Sequence, residues 1–218
     1  MNALDSLARL LLMTFAAAVL LSGVGAGQSV SWRPLFNGRD LTGWKHVGAG
    51  KFVVQEGALK TRGGMGLLWY TRESFGDVVI RVVYRNPGGA NSGVFIRIPK
   101  KPRDPWMPVN RGYEVQIDDR ADEYQATGAL YSLTRPTARP ARADEWNTME
   151  ITLDGDRTTV TINGVEVTDY REGQAVPPKK GAWEPDRGPR PRIGYIGLQN
   201  HSDQDTVFFR EVSVRPLR

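Results

Sequence analysis

The chain has 218 residues, 24% of them charged, no cysteine and a formal net charge of +5. Without cysteine it has no disulfide framework, no thiol nucleophile, no cysteine-ligated zinc and no thiol for lipid attachment behind a leader. The surplus positive charge lies in proline-broken tracts (PKKPRDP, RPTARPAR, DRGPRPR) without interleaved aromatics on a regular element, so a nucleic-acid surface is not expected.

The N-terminus reads MNALDSLARLLLMTFAAAVLLSGVGAGQ. Arg9 precedes an apolar run from Leu10 to Leu21, and Val24 and Ala26 suit the small-residue positions before a cleavage site. This predicts a signal peptide over 1–26 and one mature domain over 27–218, periplasmic or extracellular. A run of about 12 apolar residues is short for a transmembrane helix, so no membrane span is expected after cleavage. A retained N-terminal anchor is the alternative on the same pattern.

Strand signals dominate the rest of the chain, and no helix is predicted. DVVIRVVYR (77–85), NSGVFIRI (91–98), YEVQID (113–118), WNTMEITL (146–153) and RTTVTI (157–162) are rich in β-branched and aromatic residues. Asp154-Gly155 and Asn163-Gly164 mark tight turns, so 147–169 reads as a three-stranded meander. GYIGLQNH and TVFFREVSVRPL supply the last two strands. Closely spaced strands without intervening helices predict an all-β, two-layer antiparallel sandwich. Three long connections interrupt it, at 99–111, 132–146 and 171–192, and loops of this length in a compact domain often carry function.

Alternation then sorts side chains by face. In GYEVQIDD, Tyr113, Val115 and Ile117 oppose Glu114, Gln116 and Asp118. In NSGVFIR, Asn91, Gly93, Phe95 and Arg97 oppose aliphatic neighbours. In GYIGLQNH, Tyr195, Gly197, Gln199 and His201 oppose Ile196 and Leu198. A merely solvated strand tends toward Lys, Glu and Thr, as in RTTVTINGVEVT. The three faces here carry amides, carboxylates, a histidine and glycines, which suits the hydroxyls of a carbohydrate. Trp106 and Trp183, in polar proline-rich loops, are candidates for stacking on a sugar ring. Trp32, Trp44, Trp69 and Trp146 lie in or beside apolar segments and are expected in the core.

The chain resembles the 3-keto-disaccharide hydrolase family. The likeness runs through SWRPLFNGRDLTGW (31–44), GLLWYTRESFGDVVIRVVYR (66–85), NSGVFIR, GYEVQIDD, TGALYSL (127–133), EWNTMEITLDGDRTTVTINGVEV (145–167) and GYIGLQNHSDQDTVFFREVSVRPL. It implies a concanavalin-like jelly roll and an exported bacterial protein acting on glycosides already oxidised at sugar C3. A separate sugar oxidoreductase is then implied as a functional partner. The loop 171–192 is peculiar to this chain.

For a 3-keto-glycoside the chemistry is proton abstraction beside a carbonyl, followed by loss of the C1 substituent. It needs a base near C2, an electrophile at the C3 oxygen and an acid for the leaving oxygen. Glu114 or Asp118 is the candidate base, Arg97 or a divalent cation the electrophile, and His201 the acid or base. Asn91, Gln116, Asp118, Gln199, Tyr195, Trp106 and Trp183 are the candidate substrate contacts. Glu114 and Asp118 are the candidate oxygen ligands for a cation, although no spacing here is diagnostic of one. Two rival readings use the same residues. A lectin-like carbohydrate-binding module needs no base, and a retaining glycoside hydrolase needs two carboxyls close together.

Overall fold

The computed structural model describes residues 31–217, so the leader expected over 1–26 lies outside the described residues. Strands dominate it. The larger sheet holds β1 (Arg33–Pro34), β3 (Lys51–Gln55), β4 (Ala58–Arg62), β6 (Val78–Arg85), β9 (Asn147–Asp154), β10 (Arg157–Ile162), β11 (Val165–Arg171) and β13 (Phe208–Pro216). They run in the order β11-β10-β9-β6-β13-β4-β3, with β1 beside β13. The smaller sheet holds β2 (Trp44–Gly48), β5 (Gly66–Tyr70), β7 (Ser92–Ile98), β8 (Tyr113–Ile117) and β12 (Tyr195–Asn200), in the order β2-β5-β12-β7-β8. Every strand pairing is antiparallel.

Period-two patterning explains how the sheets stack. Val78, Ile80, Val82 and Tyr84 of β6, with Met149, Ile151 and Leu153 of β9, meet Val94, Ile96, Val115, Ile117, Ile196 and Leu198 of the small sheet in one buried cluster. Each such aliphatic side chain contributes about 1.5–3 kcal/mol on burial. The meander is as expected: Asn163 and Gly164 sit at φ 52° and 81°, the left-handed pair that a two-residue hairpin requires.

Two features depart from the predicted pattern. A short helix, α1 (Trp106–Arg111), occupies the end of the loop expected at 99–111. Its six residues include Pro108 and so give no helical periodicity to read. Its Val109 packs with Leu67, Trp69, Phe95 and Ile98 in a second apolar cluster on the outward face of the small sheet. The other departure is a β-bulge in β7. Tyr195 pairs with Ile98 and Gly197 with Phe95, so two residues of β7 oppose one of β12. Arg97, at φ 53°, is the extra residue. Ile96 therefore faces the inter-sheet core while Ile98 joins the outward cluster.

Candidate functional site

The outward face of the small sheet is closed over at one end by α1 and left open beside it. There Glu114 and Gln116 of β8, Gln199 of β12, Asn91 and His201 line a cavity of about 270 Å³ with Met65, Val109, Gln125, Tyr131, Trp106 and Trp183. Seven of these were expected from alternation and loop position: Glu114, Gln116, Asn91, Gln199, His201, Trp106 and Trp183.

Glu114 is the most perturbed group in the cavity. Only 5% of it is exposed, and burial pushes its carboxyl up from the usual 4.5 to about 8, against a weaker opposing effect of the Gln199 amide. It is therefore a neutral carboxylic acid at pH 7, able to donate a hydrogen bond. Gly93 on the neighbouring strand makes room for it, since a Cβ at that position would lie 2.5 Å from Glu114 Oε1. Burial and the nearby Glu114 also push the Tyr131 phenol up.

The amides are held only in part. Gln116 Nε2 donates to Asn91 Oδ1 at 3.1 Å. Gln116 Oε1 and Gln199 Oε1 are buried with no hydrogen-bond partner. An unpartnered buried acceptor costs about 1–3 kcal/mol, and a ligand that supplies donors to this cavity removes that cost. Sugar hydroxyls are such donors. At the rim, Trp106 is 53% and Trp183 63% exposed, a large apolar area to leave in water. An added Cβ on Gly181 would lie 2.2 Å from the Trp183 ring, so only glycine lets the indole lie against this backbone.

His201 lies just past β12, and its Nδ1 is 2.8 Å from Asp205 Oδ2. Asp205 also accepts from Ser202 Oγ at 2.6 Å and from the Asn91 backbone N–H at 2.8 Å. Burial pushes this carboxyl up, but the hydrogen bonds from Ser202, Asn91 and His201 outweigh it and hold it below the usual range. Sequence reasoning missed Asp205, Tyr131 and Gln125, all in irregular connections where no alternation points to a face.

Three predicted residues are not brought to the cavity. Arg97 is turned away by the bulge: its side chain is fully buried and its guanidinium donates to the backbone oxygens of Pro191, Gly155 and Arg157, tying the small sheet to the β9–β10 turn. It is a cross-sheet brace, and strict alternation failed at the one residue that breaks it. Asp118, just past β8, accepts from Arg120 N at 3.0 Å and pairs with the Arg120 guanidinium. Tyr195 packs edge-on against Trp69 with ring centroids 5.2 Å apart. Trp69 itself, expected in the core, packs on the outward face under α1 rather than between the sheets. With Asp118 elsewhere, Glu114 is the only carboxyl among the described residues that lines the cavity. Among the described residues no group of three or more His, Asp or Glu is gathered as a metal site.

A second cavity of about 120 Å³ is lined by Asp119, Thr127, Arg139 and Ile162, among others. Its acidic group is already satisfied, Asp119 accepting from Thr127 and Asn86. The cavity over β8 and β12 is thus the better candidate.

Comparison with known proteins identifies the family and the fold. Residues 31–215 match the family described as the 3-keto-alpha-glucoside-1,2-lyase-like domain. Among solved structures, a candidate glycosyl hydrolase from Parabacteroides distasonis superposes with a TM-score of 0.71 at 22% identity, over 86% of this chain and 94% of the other. The carbohydrate-binding module CBM66 from Bacillus subtilis gives 0.56 at 15% identity, over 79% and 95%. A Bacillus subtilis protein of unknown function with a galectin-like fold gives 0.58 at 16%, over 85% and 94%. These likenesses establish the lectin-like jelly roll. No curated protein sequence matches the chain.

Proposed function

The chain belongs to the 3-keto-alpha-glucoside-1,2-lyase-like family, and on that premise we propose that it cleaves glycosides bearing a ketone at C3, by elimination across C1 and C2. The observation that carries this reading is Glu114, a buried carboxyl kept neutral near pH 7 beside acceptors that lack partners. A ketone makes the C2 hydrogen acidic. Removing that proton places negative charge on the C3 oxygen. The C1–O bond then breaks with its electron pair leaving on oxygen, a C1=C2 double bond forms, and the leaving oxygen takes up a proton. Addition of water would complete a net hydrolysis.

Each cavity group has a role in this scheme. Neutral Glu114 donates a hydrogen bond to the C3 oxygen, where charge develops, the use to which an apolar site can put a protonated carboxyl. The His201 ring accepts the C2 proton and returns it toward the leaving oxygen. Gln116 and Gln199 accept from ring hydroxyls. Trp106 and Trp183 hold the part of the glycoside that projects from the mouth. The steps leave the oxidation level unchanged, so a sugar oxidoreductase must install the ketone beforehand. On the expectation of a leader over 1–26 the reaction would run outside the cytoplasm, and N-terminal sequencing of the secreted protein tests that.

A retaining hydrolase needs two carboxyls about 5–5.5 Å apart, and among the described residues one lines this cavity. A binding-only module fits the tryptophans and can use the neutral acid as a donor to a hydroxyl, so turnover separates the two readings. The deciding assay incubates the protein with a 3-keto-disaccharide and with its unoxidised parent. Cleavage of the keto form alone is expected. Cleavage of the parent would overturn the mechanism, and binding without turnover of either would make the protein a lectin-like module.

A further inference from the structure

We infer that Asp205 is a positioning residue that fixes His201 as its Nδ1–H tautomer, leaving Nε2 as the basic nitrogen of the candidate site. This rests on the reading of His201 as the group that accepts the C2 proton. Donors and acceptors alone place the hydrogen. Asp205 Oδ2 lies 2.8 Å from His201 Nδ1 and 2.6 Å from Ser202 Oγ. Its Oδ1 accepts from the Asn91 N–H at 2.8 Å and has the Arg120 guanidinium at 3.6 Å. Two established donors, Ser202 Oγ and Asn91 N–H, and the Arg120 cation hold this carboxylate ionised, and an ionised carboxylate can only accept. The hydrogen between His201 and Asp205 must therefore sit on Nδ1. In a neutral imidazole that leaves the lone pair on Nε2, the nitrogen not engaged by Asp205.

The same carboxylate does a second job. Through Asn91 it anchors the acceptor for Gln116 Nε2, so the base and the amide pair of the cavity floor hang on a single group. The segment HSDQD (201–205) holds ring, hydroxyl and carboxylate within five residues, and the Thr61 hydroxyl donates to the Asp205 backbone oxygen, pinning that segment to the large sheet.

Asp205→Asn preserves the shape and removes the charge. The new amide can donate to Nδ1, which moves the ring proton to Nε2 and takes away the basic nitrogen. The test is long-range ¹H–¹⁵N correlation of the histidine rings at alkaline pH, combined with steady-state kinetics on a 3-keto-disaccharide. The chain has only two histidines. His46 is an internal control, because its Nε2 accepts from Phe52 N–H at 2.9 Å, far from Asp205 in sequence and tied to another strand.

The wild type should give the Nδ1–H pattern for His201. In Asp205→Asn that pattern should change while His46 is unaltered, and kcat should fall about 10²–10⁴-fold with KM nearly unchanged. A wild-type His201 protonated on Nε2 overturns the inference whatever the variant does. So does a variant with lost activity and an unchanged His201 tautomer, since that is structural damage only. Should the wild type lack turnover of any 3-keto substrate, the proposed reaction falls, while the ring spectra still decide the role of Asp205.

Discussion

On the outward face of the large sheet, the Arg81 guanidinium lies 3.8 Å from the centroid of Trp32 and also pairs with Glu150 at 2.8 Å. Arg215 approaches the same indole, while Arg85 and Arg210 sit over Trp146. On the outward face of the small sheet, the buried oxygens of Gln116 and Gln199 have no protein partner, and Glu114 carries a proton that solvent would ordinarily remove. Both faces mix aromatics with polar groups. On the first, each indole is capped by a cation of the same chain; on the second, two indoles and two acceptors are left for something else. Arg85 Nε on the first face also lacks a partner, so a single unpartnered atom marks nothing. The gathering of such acceptors, a neutral acid and bare indoles around one cavity is what marks a site.

That contrast breaks most visibly at Glu114. Glu114→Ala should lower kcat by about 10²–10³-fold, the usual cost of losing a donor to a developing oxyanion. Glu114→Gln keeps an N–H donor, so its loss should be smaller. It should also abolish the alkaline limb of the pH–rate profile, which in the wild type falls through about pH 8 as Glu114 ionises. If the Gln variant is as dead as Ala, Glu114 transfers a proton and does not merely donate a hydrogen bond. The same shift has a stability consequence. A carboxyl raised from 4.5 to about 8 keeps a proton in the folded state that the unfolded chain has released. Wild-type stability therefore declines as pH rises from about 4.5 to 8 and levels off above. Denaturant titrations of Glu114→Gln should lack that decline.

Next in size are the rim tryptophans. Trp106→Ala and Trp183→Ala should each raise KM about fivefold, a stacking contact being worth about 0.5–1.5 kcal/mol. Melting temperatures should barely move, because both rings are largely in water. The smallest effect on turnover belongs to the opposite face. Trp32→Ala should destabilise by about 1 kcal/mol through its lost cation–π contacts, with kcat and KM unchanged. A drop in kcat there would mean that the two faces are not independent.

Much of this was legible in the residues. From Val78 onward the long β-branched strands and the Asn163-Gly164 turn are read directly, and alternation alone put Glu114, Gln116 and Gln199 on one side. The five strands before Thr71 are two to five residues each and, unlike the equally short YEVQI, show no strict alternation to read. Arg97 was misplaced because one inserted residue reverses every later side chain on a strand. Asp118 was misplaced because the strand ends at Ile117 and the backbone turns to Arg120. Asp205 could not be seen at all: a loop has no faces to sort, and its role exists only through His201 and Asn91 in space.

The central claim is that the C2 hydrogen is lost as a proton, and labelling that position tests it most directly. A 3-keto-disaccharide deuterated at C2 should be cleaved more slowly than the unlabelled sugar, and the unsaturated product should carry no deuterium at C2. Cleavage at an equal rate with the label retained at C2 would contradict elimination and require direct displacement at C1.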